Sequence, residues 1–243
     1  QGKLNLIKIF SRDDLLKCVL LGFLNPCLYY IILFKGYDAL PAQEAMVINF
    51  SWPVMLVILS IPILKQTIDL KSFLSIIVCY FGVVVIATNG DIFSMQFENP
   101  FGVFLMLIST VIWSLFWLFN TKNSHDSLVS LFLIFLFSFP FILGFVVLTN
   151  SFVIPSLEGL IGSIYIGFFE MGISLVLWQS ALKISTSVSR VASLVFITPF
   201  LSLFILYLVL GEKILISTIT GIILICAGLL LQKYFTNKAR KNS

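Results

Sequence analysis

Residues 189–231 read SRVASLVFITPFLSLFILYLVLGEKILISTITGIILICAGLLL. An apolar segment carrying Pro199 leads into the charged turn Gly211-Glu212-Lys213, and a second apolar segment carrying Gly228 follows. The same plan stands 146 positions earlier. Pro53 falls where Pro199 does, Leu64-Lys65-Gln66-Thr67 matches Leu210-Gly211-Glu212-Lys213, and Gly82 matches Gly228. One spacing shared by three landmarks is the mark of an internal repeat. The chain reads as a doubled unit.

Composition fixes the solvent. Hydrophobic residues make up 59% of the chain and charged residues 11%, and the mean hydropathy is +1.09. Soluble domains carry roughly 25% charged residues. Apolar runs of ~20 residues mark membrane helices, and they follow one another here almost without pause. A barrel strand needs only ~10 alternating residues, whereas these runs are longer and apolar on every face. In hydrocarbon, helices satisfy their own backbone groups. The fold class is therefore all-α integral membrane, with eight spans expected near 15–34, 42–64, 73–88, 101–119, 128–149, 157–182, 188–210 and 215–231.

Eight spans put both chain ends on one side of the bilayer. Thirteen basic residues fall on that side and only Lys35 and Lys213 on the other, which accounts for all fifteen. Lys and Arg collect in cytoplasmic loops, so both termini are expected in the cytoplasm. The net charge of +4 is then a topology signal, and the basic run 233–241 an anchor that can touch anionic lipid; no nucleic-acid partner is expected. Pro53 lies in the second span and Pro199 in the seventh, so their helices run in opposite directions. That makes the repeat inverted, an architecture of secondary transporters. Residues 1–98 form a first unit of three helices, 99–231 a second of five, and 232–243 a basic tail. Equal units would need two more helices before Gln1, giving a ten-helix parent. The opening Gln1, without a secretory cleavage pattern, reads as a fragment or a processed chain.

Glu170 is the sharpest chemical signal, because a charge at mid-bilayer costs ~2.5–3.5 kcal/mol and turns toward the bundle interior. The repeat pairs it with another polar group: Gly167-Phe168-Phe169-Glu170 matches Gly22-Phe23-Leu24-Asn25 at an offset of 145. Asn25 precedes Pro26, which frees a backbone carbonyl; it serves either as a ligand group or as interhelical glue. In Asn49-Phe50-Ser51-Trp52-Pro53, Pro53 interrupts the helix ladder, Asn49 and Ser51 offer donors, and Trp52 offers a flat apolar wall. Pro53 and Pro199 together read as gating hinges. Trp113 and Trp117 share one helix face, lining a cavity or packing; Trp178-Gln179 continues the Glu170 helix. Glu44 and Arg190 are repeat equivalents at opposite helix ends, each facing a vestibule or bulk water. No phosphate loop is present, His125 is the only histidine, and the four cysteines lie in apolar segments as small hydrophobes. No metal or cofactor is expected.

These residues resemble the drug/metabolite transporter superfamily, in particular its EamA-type ten-helix exporters. Gly211-Glu212-Lys213 followed by Gly221 and Gly228 is similar to the family's LGE…G…AG signature. The run from Glu44 through Asn49-Phe50-Ser51-Trp52-Pro53 looks like the branch of aromatic amino acid exporters. The resemblance spans nearly the whole chain, as helices three to ten of that fold. Lys65-Gln66-Thr67 departs from it by lacking the Gly-Glu of the first-half turn.

The reading is a secondary transporter, an exporter of small metabolites such as amino acids or drugs, working by alternating access in a bacterial inner membrane. Glu170, Asn25, Asn49, Trp52, Trp113, Trp117 and Trp178 are its substrate-site candidates. A lipid-modifying membrane enzyme and a non-transporting membrane subunit are the competing readings. The first would want clustered His, Asp, Glu or Cys, where the sequence offers scattered single residues. Substrate, coupling ion, direction and oligomeric state are not written in it.

Overall fold

The structure, a computed structural model, describes residues 3–97, 99–198, 201 and 215–241. The described residues are helical, without a strand. Eleven helices are used below: α1 Arg12–Gly22, α2 Tyr29–Ala39, α3 Ala42–Asn49, α4 Trp52–Leu64, α5 Leu70–Ala87, α6 Pro100–Thr121, α7 Ser127–Leu148, α8 Leu157–Tyr165, α9 Leu175–Ile184, α10 Val188–Leu194 and α11 Ile216–Lys241. Among the described residues, 7 helical stretches are long and apolar enough to cross a membrane: Arg12–Ala39, Glu44–Leu64, Leu70–Ala87, Pro100–Thr121, Ser127–Leu148, Leu157–Ile184 and Ile216–Phe235. They fall on seven of the eight expected spans. The eighth starts as the short apolar stretch Val188–Ile197, and the rest of it, with Pro199 and the Gly211-Glu212-Lys213 turn, lies outside the described residues.

Each helix begins where the sequence supplies a cap. Ser11 and Asp14 form a capping box on α1, with 3.2 Å bonds in both directions. Asp69 caps α5, Asp126 caps α7 through Leu128 N and Val129 N, and Ser156 caps α8 through Gly159 N. Side-chain oxygens placed this way satisfy backbone N–H groups that have no partner inside the helix. At the other ends, Lys65, Asn89 and Asn150 take left-handed conformations, closing helices where lysine and asparagine stand in for the usual glycine.

The chain folds as two compact units: residues 1–31 with 119–184, and residues 32–118 with 185–243. Each draws on both halves of the sequence.

In unit 1, α1 packs on α7 at Gly22, where an added Cβ would lie 2.5 Å from the Ile134 carbonyl oxygen. Polar groups gather at one end. His125 Nε2 meets Asp14 Oδ2 at 3.0 Å, Lys3 Nζ meets Asp126 Oδ2 at 2.7 Å, and Lys183 Nζ donates to the His125 carbonyl at 2.6 Å. Phe10 stacks on the His125 ring with centroids 3.9 Å apart. Residues far apart in sequence, all assigned to one side of the bilayer by the charge pattern, meet at one end of this unit.

Unit 2 is built on α5 against α11. An added Cβ at Gly82 would lie 2.7 Å from Gly221 O, and one at Gly228 would lie 2.7 Å from Ser75 O. Between them, Cys79 Sγ donates to Ile225 O at 3.5 Å. As α5 is followed backward, α11 is followed forward, so the two helices are antiparallel. The offset of 146 turns Gly82 into Gly228, Ser75 into Gly221 and Cys79 into Ile225. It therefore exchanges the two outer contacts and maps the central one onto itself, as a two-fold axis across the pair would. Small residues let the two backbones approach this closely. α10 packs on α4 and starts beside its far end, where Val188 N donates to Gln66 Oε1 at 3.1 Å, so these two also run oppositely. Gln232 Nε2 ties α11 to Ser189, donating to its O and Oγ at 2.7 Å each.

Candidate functional site

Two of the long helices are not regular. Arg12–Ala39 and Leu157–Ile184 are 28 residues each, and an offset of 145 carries one onto the other end to end. Both are capped by serine, Ser11 and Ser156. Both widen into π-helical turns in the middle, at Phe23–Leu28 and Ile166–Ser174. Such turns are rare and cluster at functional sites, because they leave backbone groups without their regular partners. Asn25 sits in the first turn and Glu170 in the second. Proline at 26 explains the first break: it cannot donate, and it crowds the preceding residue. Asn25 accordingly takes φ −148°, ψ 124°, far from helical. The second turn contains no proline.

Within unit 1 these two turns are brought together. The Tyr30 hydroxyl reaches Met171 Sδ at 3.6 Å, linking a residue just past the first turn to the neighbour of Glu170. The Glu170 carboxyl lies within electrostatic range of the same phenol. Asn25 is 1% exposed, and its Oδ1 has no hydrogen-bond partner among the described residues. Gln179, one helical step beyond the half-buried Trp178, is fully buried with both amide atoms unpartnered, as is Asn120. Unpaired buried amides are costly, about 1–3 kcal/mol each, so they mark places where water or a ligand is accommodated. Glu170 itself is exposed, where the sequence suggested an enclosed group. Its helix is thinly covered, with 6% of the span buried.

Unit 2 holds the aromatic candidates. The Trp52 and Trp113 rings are 6.2 Å apart and edge-on, and Trp113 and Trp117 are 5.5 Å apart. Trp52 and Trp113 are half-buried, whereas Trp117 is fully buried against Phe116 at 4.9 Å. Of the three, only Trp52 and Trp113 have surface to offer. Asn49 Nδ2 donates to the exposed Tyr37 hydroxyl at 2.6 Å. Pro53 does not bend a continuous helix: α3 ends at Asn49, and Pro53 stands in the first turn of α4. Ser51 N bonds Ile48 O at 3.0 Å and Ser51 Oγ bonds it at 2.6 Å, so the interruption is a turn between two helices. Asn49, Trp52 and Trp113 belong to unit 2; Asn25, Glu170 and Trp178 belong to unit 1.

The residue patterns did not reveal Tyr30, whose only signal is a phenol in mid-span, or the buried Asn120. They also misplaced Glu44. It is 6% exposed, and its Oε1 accepts from Gln96 N at 3.0 Å and Phe97 N at 3.1 Å. A carboxylate at a helix start is drawn to nearby loop N–H groups, and here it fastens the segment leading to α6 instead of facing a vestibule.

The composition, the apolar helices and the interrupted pair define an integral membrane protein of transporter type. A family model for the EamA-like transporter family matches residues 3–88 and 100–232. The chain belongs to the EamA-like transporter family. Similar proteins described as uncharacterized transporters come from Archaeoglobus fulgidus, 28% identical over 230 residues with 91% of this chain and 79% of the relative covered, and from Clostridium kluyveri, 28% identical over 183 residues. The second match covers 72% of this chain and 58% of the relative's length. A solved crystal structure superposes with a TM-score of 0.79 over 93% of this chain and 79% of its own, at 17% identity; it shares the fold.

Proposed function

We propose that this membrane transporter is a secondary exporter of small metabolites, such as amino acids or drugs, working by alternating access between inverted bundles. One observation carries the reading: two 28-residue helices that correspond at a fixed offset both break into π-helical turns, and the turns meet through Tyr30 and Met171. Broken helices at mid-membrane are where such transporters hold their substrates. The two-fold character of the α5–α11 contacts supports the inversion. The two matched segments, 3–88 and 100–232, support repeat units divided near residue 98.

In this reading Glu170 and Asn25 hold the substrate's polar groups, with Tyr30 beside them. Asn49 and the half-buried Trp52, Trp113 and Trp178 supply further polar and aromatic surface. The turn at Ser51-Trp52-Pro53 and its equivalent at Pro199 act as hinges. The gathering of Lys3, Lys17, Lys122 and Lys183 toward one end of unit 1 supports cytoplasmic termini. An exposed Glu170 facing hydrocarbon would cost ~2.5–3.5 kcal/mol, so its carboxyl looks onto water or a ligand. The test is efflux of candidate amino acids from proteoliposomes with and without an imposed pH gradient. Glu170→Gln should abolish the gradient's effect. Full, still pH-coupled transport by that variant would remove Glu170 from the site.

A further inference from the structure

The basic end of unit 1 contains a cavity of about 670 Å3. One wall is the face of α1 from Asp14 to Leu24, about 15 Å long at 1.5 Å per residue. The other runs from Phe119 at the end of α6 to Ser124. Lys17 and Lys122 stand at the mouth, and Leu20, Leu24 and Phe119 line the slot. Asp14, also at the mouth, is already matched: its Oδ2 meets His125 at 3.0 Å and its Oδ1 meets Lys17 at 3.2 Å. Lys122 is exposed and forms no ion pair among the described residues. The mouth therefore carries an uncompensated positive charge above an apolar slot. None of the substrate-site candidates lines it.

We propose that this slot binds an anionic phospholipid of the cytoplasmic leaflet, its phosphate at Lys122 and Lys17 and one acyl chain along Leu20 and Leu24. Three features fit a lipid and not a soluble anion. The walls are apolar, the depth of about 15 Å equals half of the ~30 Å hydrocarbon core, and basic pockets between membrane helices on the cytoplasmic side take anionic headgroups. The slot reaches Phe23 and Leu24, the first residues of the turn that holds Asn25, so its occupant braces that turn. The inference rests on the basic end facing the cytoplasm and not on which substrate is carried.

The test uses the purified full chain in a neutral detergent, melted with added phosphatidylglycerol, with phosphatidylcholine of the same acyl chains, or with inorganic phosphate. Phosphatidylglycerol should raise the melting temperature roughly 3–5 °C more than phosphatidylcholine, and phosphate should leave it unchanged. Lys17→Gln with Lys122→Gln should erase the preference, Lys17→Arg with Lys122→Arg should keep it, and Lys35→Gln at the other end should not affect it. Equal shifts from the two lipids, a preference that survives the double glutamine variant, or a shift reproduced by phosphate alone would overturn the proposal. If the double variant fails to fold, Lys122→Gln decides, because that exposed side chain pairs with nothing. A negative transport result for Glu170→Gln would leave this outcome standing.

Discussion

The α5–α11 seam and the Asn25–Glu170 pair obey nearly the same repeat arithmetic yet are built in opposite ways. In the seam, helices are regular, residues at the contact are small, and backbone lies on backbone at Gly82, Gly221 and Gly228. In the pair, both helices widen into π-helical turns, a buried amide is left unpartnered, and a carboxyl is exposed. Duplication supplied two copies of each element. Where equivalent elements close on each other they became scaffold; where they break they became the candidate site. Substitutions in the seam should therefore cost stability, and substitutions in the pair should cost transport.

The largest effect is expected at the seam. Gly82→Ala places a methyl 2.7 Å from Gly221 O and 2.8 Å from an Ile225 side-chain carbon, so it should lower unfolding stability by about 3 kcal/mol. Gly162→Ala is the contrast: nothing lies within 4 Å of its added Cβ, and the helix should gain about 1 kcal/mol. Thermal unfolding in detergent compares the two, and equal effects would erase the distinction between seam and open helix.

Next comes the pair. Glu170→Gln should reduce transport at least about tenfold, a loss near 1.4 kcal/mol, with the melting temperature held. Asn25→Leu sharpens the point. Replacing an amide whose oxygen is unpaired should leave stability within about 1 kcal/mol, while efflux falls. A variant that transports normally but unfolds early would recast Asn25 as a packing group.

The smallest effect concerns the polar end of unit 1. The hydrogen bond from Lys3 holds the Asp126 carboxyl below its usual value of 3.8. A lowered pKa in the folded protein contributes stability above the unfolded value, and that contribution is lost as pH falls through the folded one. Lys3→Gln should therefore cost only about 0.5 kcal/mol near neutrality and should flatten the acid limb of the stability curve below about pH 4. Melting curves between pH 3 and 7 would detect it.

Much of this was legible in the residues. Pro26 announced the break at Asn25, Glu170 announced itself by its charge, and the offset of 146 located the glycines that later met. What stayed hidden follows from the solvent. Helices apolar on every side carry no stripe to say which face is buried, so nothing separated the enclosed Trp117 from the half-exposed Trp113. The π-helical turn at Ile166–Ser174 lacks a proline and leaves no local trace. Glu44 finds its partners some fifty residues away, at Gln96 and Phe97, in a loop that no periodicity describes. The two compact units cut across the sequence halves, because helices of one half pack with helices of the other.

The central claim is that the broken turn around Glu170 looks onto a polar space inside the protein. The most direct measurement places Glu170→Cys in a background where Cys18, Cys27, Cys79 and Cys226 are alanine, and labels it in membranes with a charged, water-soluble maleimide. The account predicts rapid labelling that a transported substrate slows. Labelling only by a lipid-soluble reagent, with no protection by any substrate, would contradict it.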